Sequence, residues 1–145
     1  MLRNWVAITM MLAASEALAL DAAQLMSGMT WEKRVLLIFA PDTQHAEWQR
    51  QEKLLEAQDA DLAERDMAVI RVLATGEVSV DNNPLGSAAG DFYRRFGVAD
   101  DRFRAVLVGK DGSVKLESGE AVATTELFAL IDSMPMRRQE MLQGD

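Results

Sequence analysis

The chain has 145 residues, 49% of them hydrophobic, with 15 basic against 23 acidic side chains for a net charge of −8. A chain this acidic lacks the basic face that nucleic-acid phosphates require, and anionic lipid surfaces repel it. It contains no cysteine, which excludes cysteine nucleophiles, CxxC redox pairs, cysteine metal ligands and disulfides alike.

The first nineteen residues read as a secretory signal peptide. Arg3 gives a positive start, Trp5 to Ala14 an uncharged apolar core, and Ala17-Leu18-Ala19 a small-x-small cleavage site. That core is shorter than the ~20 residues a membrane-spanning helix needs. Cleavage after Ala19 is expected, leaving a single domain over 20–145 in the periplasm or secreted. No later stretch is apolar for long enough to span a membrane, and no repeat or linker divides the rest.

Val35-Leu36-Leu37-Ile38-Phe39-Ala40, closed by Pro41, is a short β-rich apolar run, the pattern of a strand buried on both faces. Ala46 to Gln58 carries Trp48, Leu54 and Leu55 on one side and predicts a helix. Met67 to Leu73 predicts a second strand, so the pair forms a parallel βαβ unit. Thr75 to Gly86, rich in Gly, Asp, Asn and Pro, is expected to be an irregular loop.

A short helix with Phe92, Tyr93 and Phe96 follows, with Ser87 as N-cap and Gly97 as its closing residue. Ala105 to Val108, the turn Lys110-Asp111-Gly112, and Val114 to Leu116 predict a hairpin. A last helix, capped at Thr124 or Thr125, carries Leu127, Leu130, Ile131 and Met134 at i, i+3, i+4 and i+7. Pro135 breaks it or starts a further turn. The order β-α-β-α-β-β-α, a parallel pair plus an antiparallel hairpin, predicts an α/β thioredoxin-like three-layer sandwich.

Phe103-Arg104-Ala105-Val106-Leu107-Val108-Gly109-Lys110-Asp111-Gly112 resembles the strand and turn that open the hairpin of thioredoxins and peroxiredoxins. The ending Ile131-Asp132-Ser133-Met134-Pro135-Met136-Arg137-Arg138-Gln139-Glu140-Met141 is more specific. With Trp31 to Arg34 and Glu64-Arg65-Asp66, it resembles an uncharacterised family of exported thioredoxin-like domains. That family is shared with sushi-repeat-containing and related extracellular proteins of animals. The resemblance covers residues 30 to 141 and implies fold, location and a distant kinship to peroxiredoxins. A peroxiredoxin thiol would fall between Pro41 and Trp48, where this chain reads Pro-Asp-Thr-Gln-His-Ala-Glu-Trp. The resemblance further implies that Arg104 descends from an arginine that polarises peroxide, or serves as a reused anion contact.

Several residues are candidates for function. His45, the only histidine, and Asp42 could act as base or acid with an arginine; otherwise His45 is a helix-start residue behind an Asp42 or Thr43 N-cap. Arg65 and Asp66 are a ligand-facing ion pair or a structural clasp. Arg137 and Arg138 either bind a carboxylate or phosphate, or stay paired with Asp132 and Glu140. Met134, Met136 and Met141 make too few free thioethers for copper, and Asp81-Asn82-Asn83 and Asp100-Asp101 lack calcium-loop spacing.

The expectation is therefore a binding module without metal or cofactor. Its surface would combine the loop after the first strand, Arg104 and the C-terminal arginines. Its partner would be another envelope or extracellular protein, or a small anionic ligand. A cysteine-free enzyme and a purely structural domain are the alternatives.

Overall fold

The structure, a computed structural model, describes residues 21–86 and 88–144. The expected signal peptide and the Ser87 cap lie outside the described residues. Twelve elements follow one another: α1 (Ala22–Met29), β1 (Arg34–Ala40), α2 (Ala46–Leu55), α3 (Asp59–Glu64), β2 (Met67–Leu73), β3 (Val78–Val80), β4 (Asn83–Leu85), α4 (Ala89–Phe96), β5 (Arg104–Val108), β6 (Val114–Ser118), α5 (Thr124–Asp132) and α6 (Pro135–Gln143). The strands form one sheet in the order β4-β3-β2-β1-β5-β6. β1 runs parallel to β2 in register Arg34↔Met67 to Ala40↔Leu73, and antiparallel to β5, with Phe39 opposite Arg104.

The period of two in β1 splits the core between the sheet's faces. Leu36, Ile38 and Ala40 pack with Trp48, Leu55, Leu62, Leu127 and Ile131 under α2, α3 and α5. Val35, Leu37 and Phe39 pack with Met26, Phe92 and Tyr93 under α1 and α4. This is the expected α/β three-layer thioredoxin-like arrangement, with β1 at its centre.

Three local expectations are corrected. The stretch read as an irregular loop contains the β3–β4 hairpin, whose turn residues Asp81 and Asn82 both take positive φ (49° and 70°). That is the primed turn Asp and Asn tolerate, and the strands are too short for a periodic signal. The helix expected over 46–58 ends at Leu55 and restarts as α3, with Ala57 at φ 63° between them. α5 is entered through Ala123, without a side-chain cap from Thr124 or Thr125. Pro135 opens α6 at its first turn, where its missing N–H costs nothing.

Candidate functional site

The two ends of β1, seven residues and about 20 Å apart, are built differently. At its N-terminal end Arg34, 1% exposed, must satisfy five N–H donors inside the protein. Its Nη1 donates to the Arg65 carbonyl (2.9 Å) and Glu140 Oε1 (3.0 Å), and its Nη2 donates to Glu140 Oε2 (3.1 Å). Lys110, in the turn just after β5, donates to Glu140 and Asp66, both at 2.8 Å.

Arg137, 4% exposed, donates from Nε to Asp132 (3.0 Å) and from its Nη atoms to the Glu64 carbonyl and carboxylate (3.1 and 3.2 Å). Arg65 grips the same Asp132 with two bonds (3.0 and 2.8 Å) and lies 4.2 Å over the Phe128 ring. Four cations (Arg34, Arg65, Lys110, Arg137) thus meet four carboxylates (Glu64, Asp66, Asp132, Glu140). The cluster is neutral and latches α6 and the end of α5 onto the sheet edge.

The hydrogen bonds set the acidities. Arg65 first, then Arg137, holds the Asp132 carboxyl below the ordinary range against its burial. Burial pushes Glu140 upward, but the bonds from Arg34 and Lys110 outweigh it and leave the carboxyl lowered. Lys110 is likewise raised by Asp66 and Glu140 in spite of desolvation. Asp132, Glu140, Lys110 and Arg137 therefore remain ionised across the neutral range.

The C-terminal end of β1 is tied mainly by side chains that bond backbone groups. The His45 ring is itself the N-cap of α2: Nδ1 accepts from the Glu47 N–H at 3.3 Å, and the ring stacks on Phe103 at 6.3 Å. Asp42 accepts from the Gln44 N–H at 2.8 Å, an Asx-type turn. Fully buried Gln51 pairs with the Val122 backbone in both directions (3.1 and 2.8 Å), and Glu47 accepts from the Ala121 N–H at 2.7 Å. The Tyr93 hydroxyl shares its proton between the carbonyls of Ala40 (2.9 Å) and Val72 (3.4 Å), and burial pushes its pKa up to about 12. Arg104 stands here with Nη1 3.7 Å from Glu117 and a buried Nε that has no hydrogen-bond partner among the described residues.

The single surface expected from the sequence is therefore two. His45, Asp42 and Arg104 lie at the C-terminal end of β1, whereas Arg65, Asp66, Arg137 and Arg138 lie at the N-terminal end. Of the Arg137-Arg138 pair only Arg138 is exposed; Arg137 points inward, because a helix turns consecutive residues about 100° apart. His45 is at the helix start as expected, but the N-cap role expected of Asp42 or Thr43 belongs to His45 itself. The sequence placed Lys110 in a turn and Tyr93 on a helix but gave neither them nor Arg34 or Gln51 a role in a site. One signal was available: Arg34 directly heads a strand predicted to be buried on both faces, so its charge needed a partner.

A family model described as "Domain of unknown function (DUF4174)" matches residues 25–140. The chain belongs to this family. Among curated proteins, Coiled-coil domain-containing protein 80 of Danio rerio is 28% identical over 133 residues, covering 80% of this chain. The chain spans about 15% of that relative's length. Two peroxiredoxin structures from Plasmodium yoelii share the fold. An N-terminally modified Prx1a superposes with TM-score 0.56 at 17% identity, covering 83% of this chain and 82% of that one. Thioredoxin peroxidase I gives 0.54 at 16%, covering 82% and 80%. At that identity the likeness is one of fold, and this DUF4174 domain carries no cysteine for their chemistry.

Proposed function

We propose that this DUF4174 domain is an exported, non-redox binding module that docks a protein partner on the N-terminal edge of its sheet. The observation that carries this reading is the distribution of exposed apolar side chains. Among the described residues the large exposed hydrophobics are Trp31, Val114, Met136, Met141 and Leu142. They sit on three segments that meet at this edge: the turn before β1, the start of β6, and α6. The Trp31 N–H donates to the Lys110 carbonyl, and Lys110 in turn holds Glu140 of α6.

Trp31 is 64% exposed although its backbone takes φ 70°, a costly conformation for a bulky residue. A patch of exposed apolar side chains on a rigid base marks an interaction site. Arg138, exposed on α6, suits a partner that presents apolar side chains flanked by a carboxylate. The Arg3 start, the Trp5–Ala14 core and Ala17-Leu18-Ala19 support export to the periplasm or beyond the cell.

In-envelope cross-linking of the wild type against a Met141→Ser/Leu142→Ser variant tests the reading. The expected result is a defined adduct that the variant loses while its thermal unfolding is unchanged. An adduct of equal yield in both overturns it, as does an unprocessed N-terminus on cytoplasmic protein.

A second reading has one observation behind it. The unpartnered Arg104 Nε lies at the C-terminal edge, where open α/β sheets take ligands, and suits a small anion. That reading predicts weak carboxylate binding that Arg104→Gln abolishes.

A further inference from the structure

On the opposite face of the sheet from α5 lies a groove of about 470 Å³ between α1, the C-terminal turn of α4 and the β5–β6 turn. Its volume lies in the range of small-molecule sites, ~300–1,000 Å³. Val35 and Val108, both buried, form the floor; Met26, Met29, Phe96 and Val114 form the walls. Methionine walls adapt their shape to a flexible apolar guest. The charged residues on its lining are Lys33 and Arg95, both exposed and, among the described residues, in no ion pair. A groove whose charges are all positive stands out in a chain with 23 acidic and 15 basic residues.

The geometry points to a binding site for a single-headed anionic amphiphile, a long-chain carboxylate whose acyl chain lies along the methionine walls with its head between Lys33 and Arg95. The apolar lining recognises the chain by removing it from water, and the two cations select the sign of the head. The net charge of −8 favours one dissolved molecule over an anionic bilayer, which would face the whole acidic surface at once. The site is separate from the α6 surface and shares only Val114 with it.

The test titrates the protein, purified from its host with methyl-labelled methionine, with dodecanoate below its micelle concentration. Dodecyltrimethylammonium and anionic phospholipid vesicles run in parallel. Saturable shifts at the Met26 and Met29 methyls are expected with dodecanoate, and none with the cationic amphiphile. The exposed pair Lys33→Glu/Arg95→Glu should fold as the wild type does, weaken dodecanoate by about tenfold and gain the cationic amphiphile.

Equal response to both head charges would overturn the proposal, as would shifts confined to Met136 and Met141. Binding to vesicles without any dodecanoate response would assign the groove to a membrane and refute it. Shifts that appear on concentrating the protein alone would assign it to a second copy, with the same consequence.

Discussion

The two ends of β1 solve one problem, closing a buried parallel strand, with opposite chemistry. At the Arg34 end, four cations and four carboxylates neutralise one another and fasten α6. At the Ala40 end, a tyrosine hydroxyl, a glutamine amide, an imidazole cap and the Glu47 carboxylate each bond backbone groups. The difference teaches where this domain keeps its surface. The end where thioredoxin-like folds offer a ligand site is held by side chain-to-backbone bonds with, among the described residues, one spare arginine nitrogen. The end that is ordinarily only structural carries both the strongest charges and the exposed apolar side chains.

The comparison breaks most readily at Arg34. Arg34→Ala leaves the partly buried Glu140 without its two-bond partner and the Arg65 carbonyl without its donor, and should cost about 3 kcal/mol in urea unfolding. Proteolysis should then begin in α6. Arg137→Ala should cost about 2–3 kcal/mol, while the adjacent Arg138→Ala changes stability by less than about 0.5 kcal/mol. Equal effects of the two would refute the inward and outward assignments.

At the other end, Gln51→Leu strands the buried N–H and C=O of Val122 and should cost about 2 kcal/mol, read by the same denaturation. Acid separates the ends more gently. Asp132 and Glu140 have lowered folded-state values, so their stabilisation is complete above the unfolded carboxyl values, ~3.9 and ~4.3, and fades as pH falls through the folded ones. Glu140→Gln should flatten that acid limb, whereas Gln51→Leu should leave its slope unchanged. Smallest of all, His45→Ala removes a helix cap and should lower stability by about 0.5–1 kcal/mol; a larger loss would show that the ring does more than cap α2.

The sandwich was legible because its long elements carry periodic signals. The β1 run, the Met67–Leu73 strand and the α5 stripe appear at their predicted places. The β3–β4 hairpin was not, since three-residue strands around an Asp-Asn turn look like any loop. The candidate residues were legible as chemistry but not as places. The spacing Arg137-Arg138-x-Glu140 indicates a charged helix, yet only the fold shows that Glu140 reaches Arg34, 106 positions earlier. Gln51 gives no sequence signal at all, because its partner is backbone.

The measurement that bears most directly on the central claim is site-specific photo-cross-linking in the envelope, with the probe at Leu142 or at Thr43. Both positions are exposed, one at each end of β1. A discrete partner adduct from Leu142 and none from Thr43 is the predicted result. An adduct from Thr43 alone would contradict it and return the binding surface to the Arg104 end.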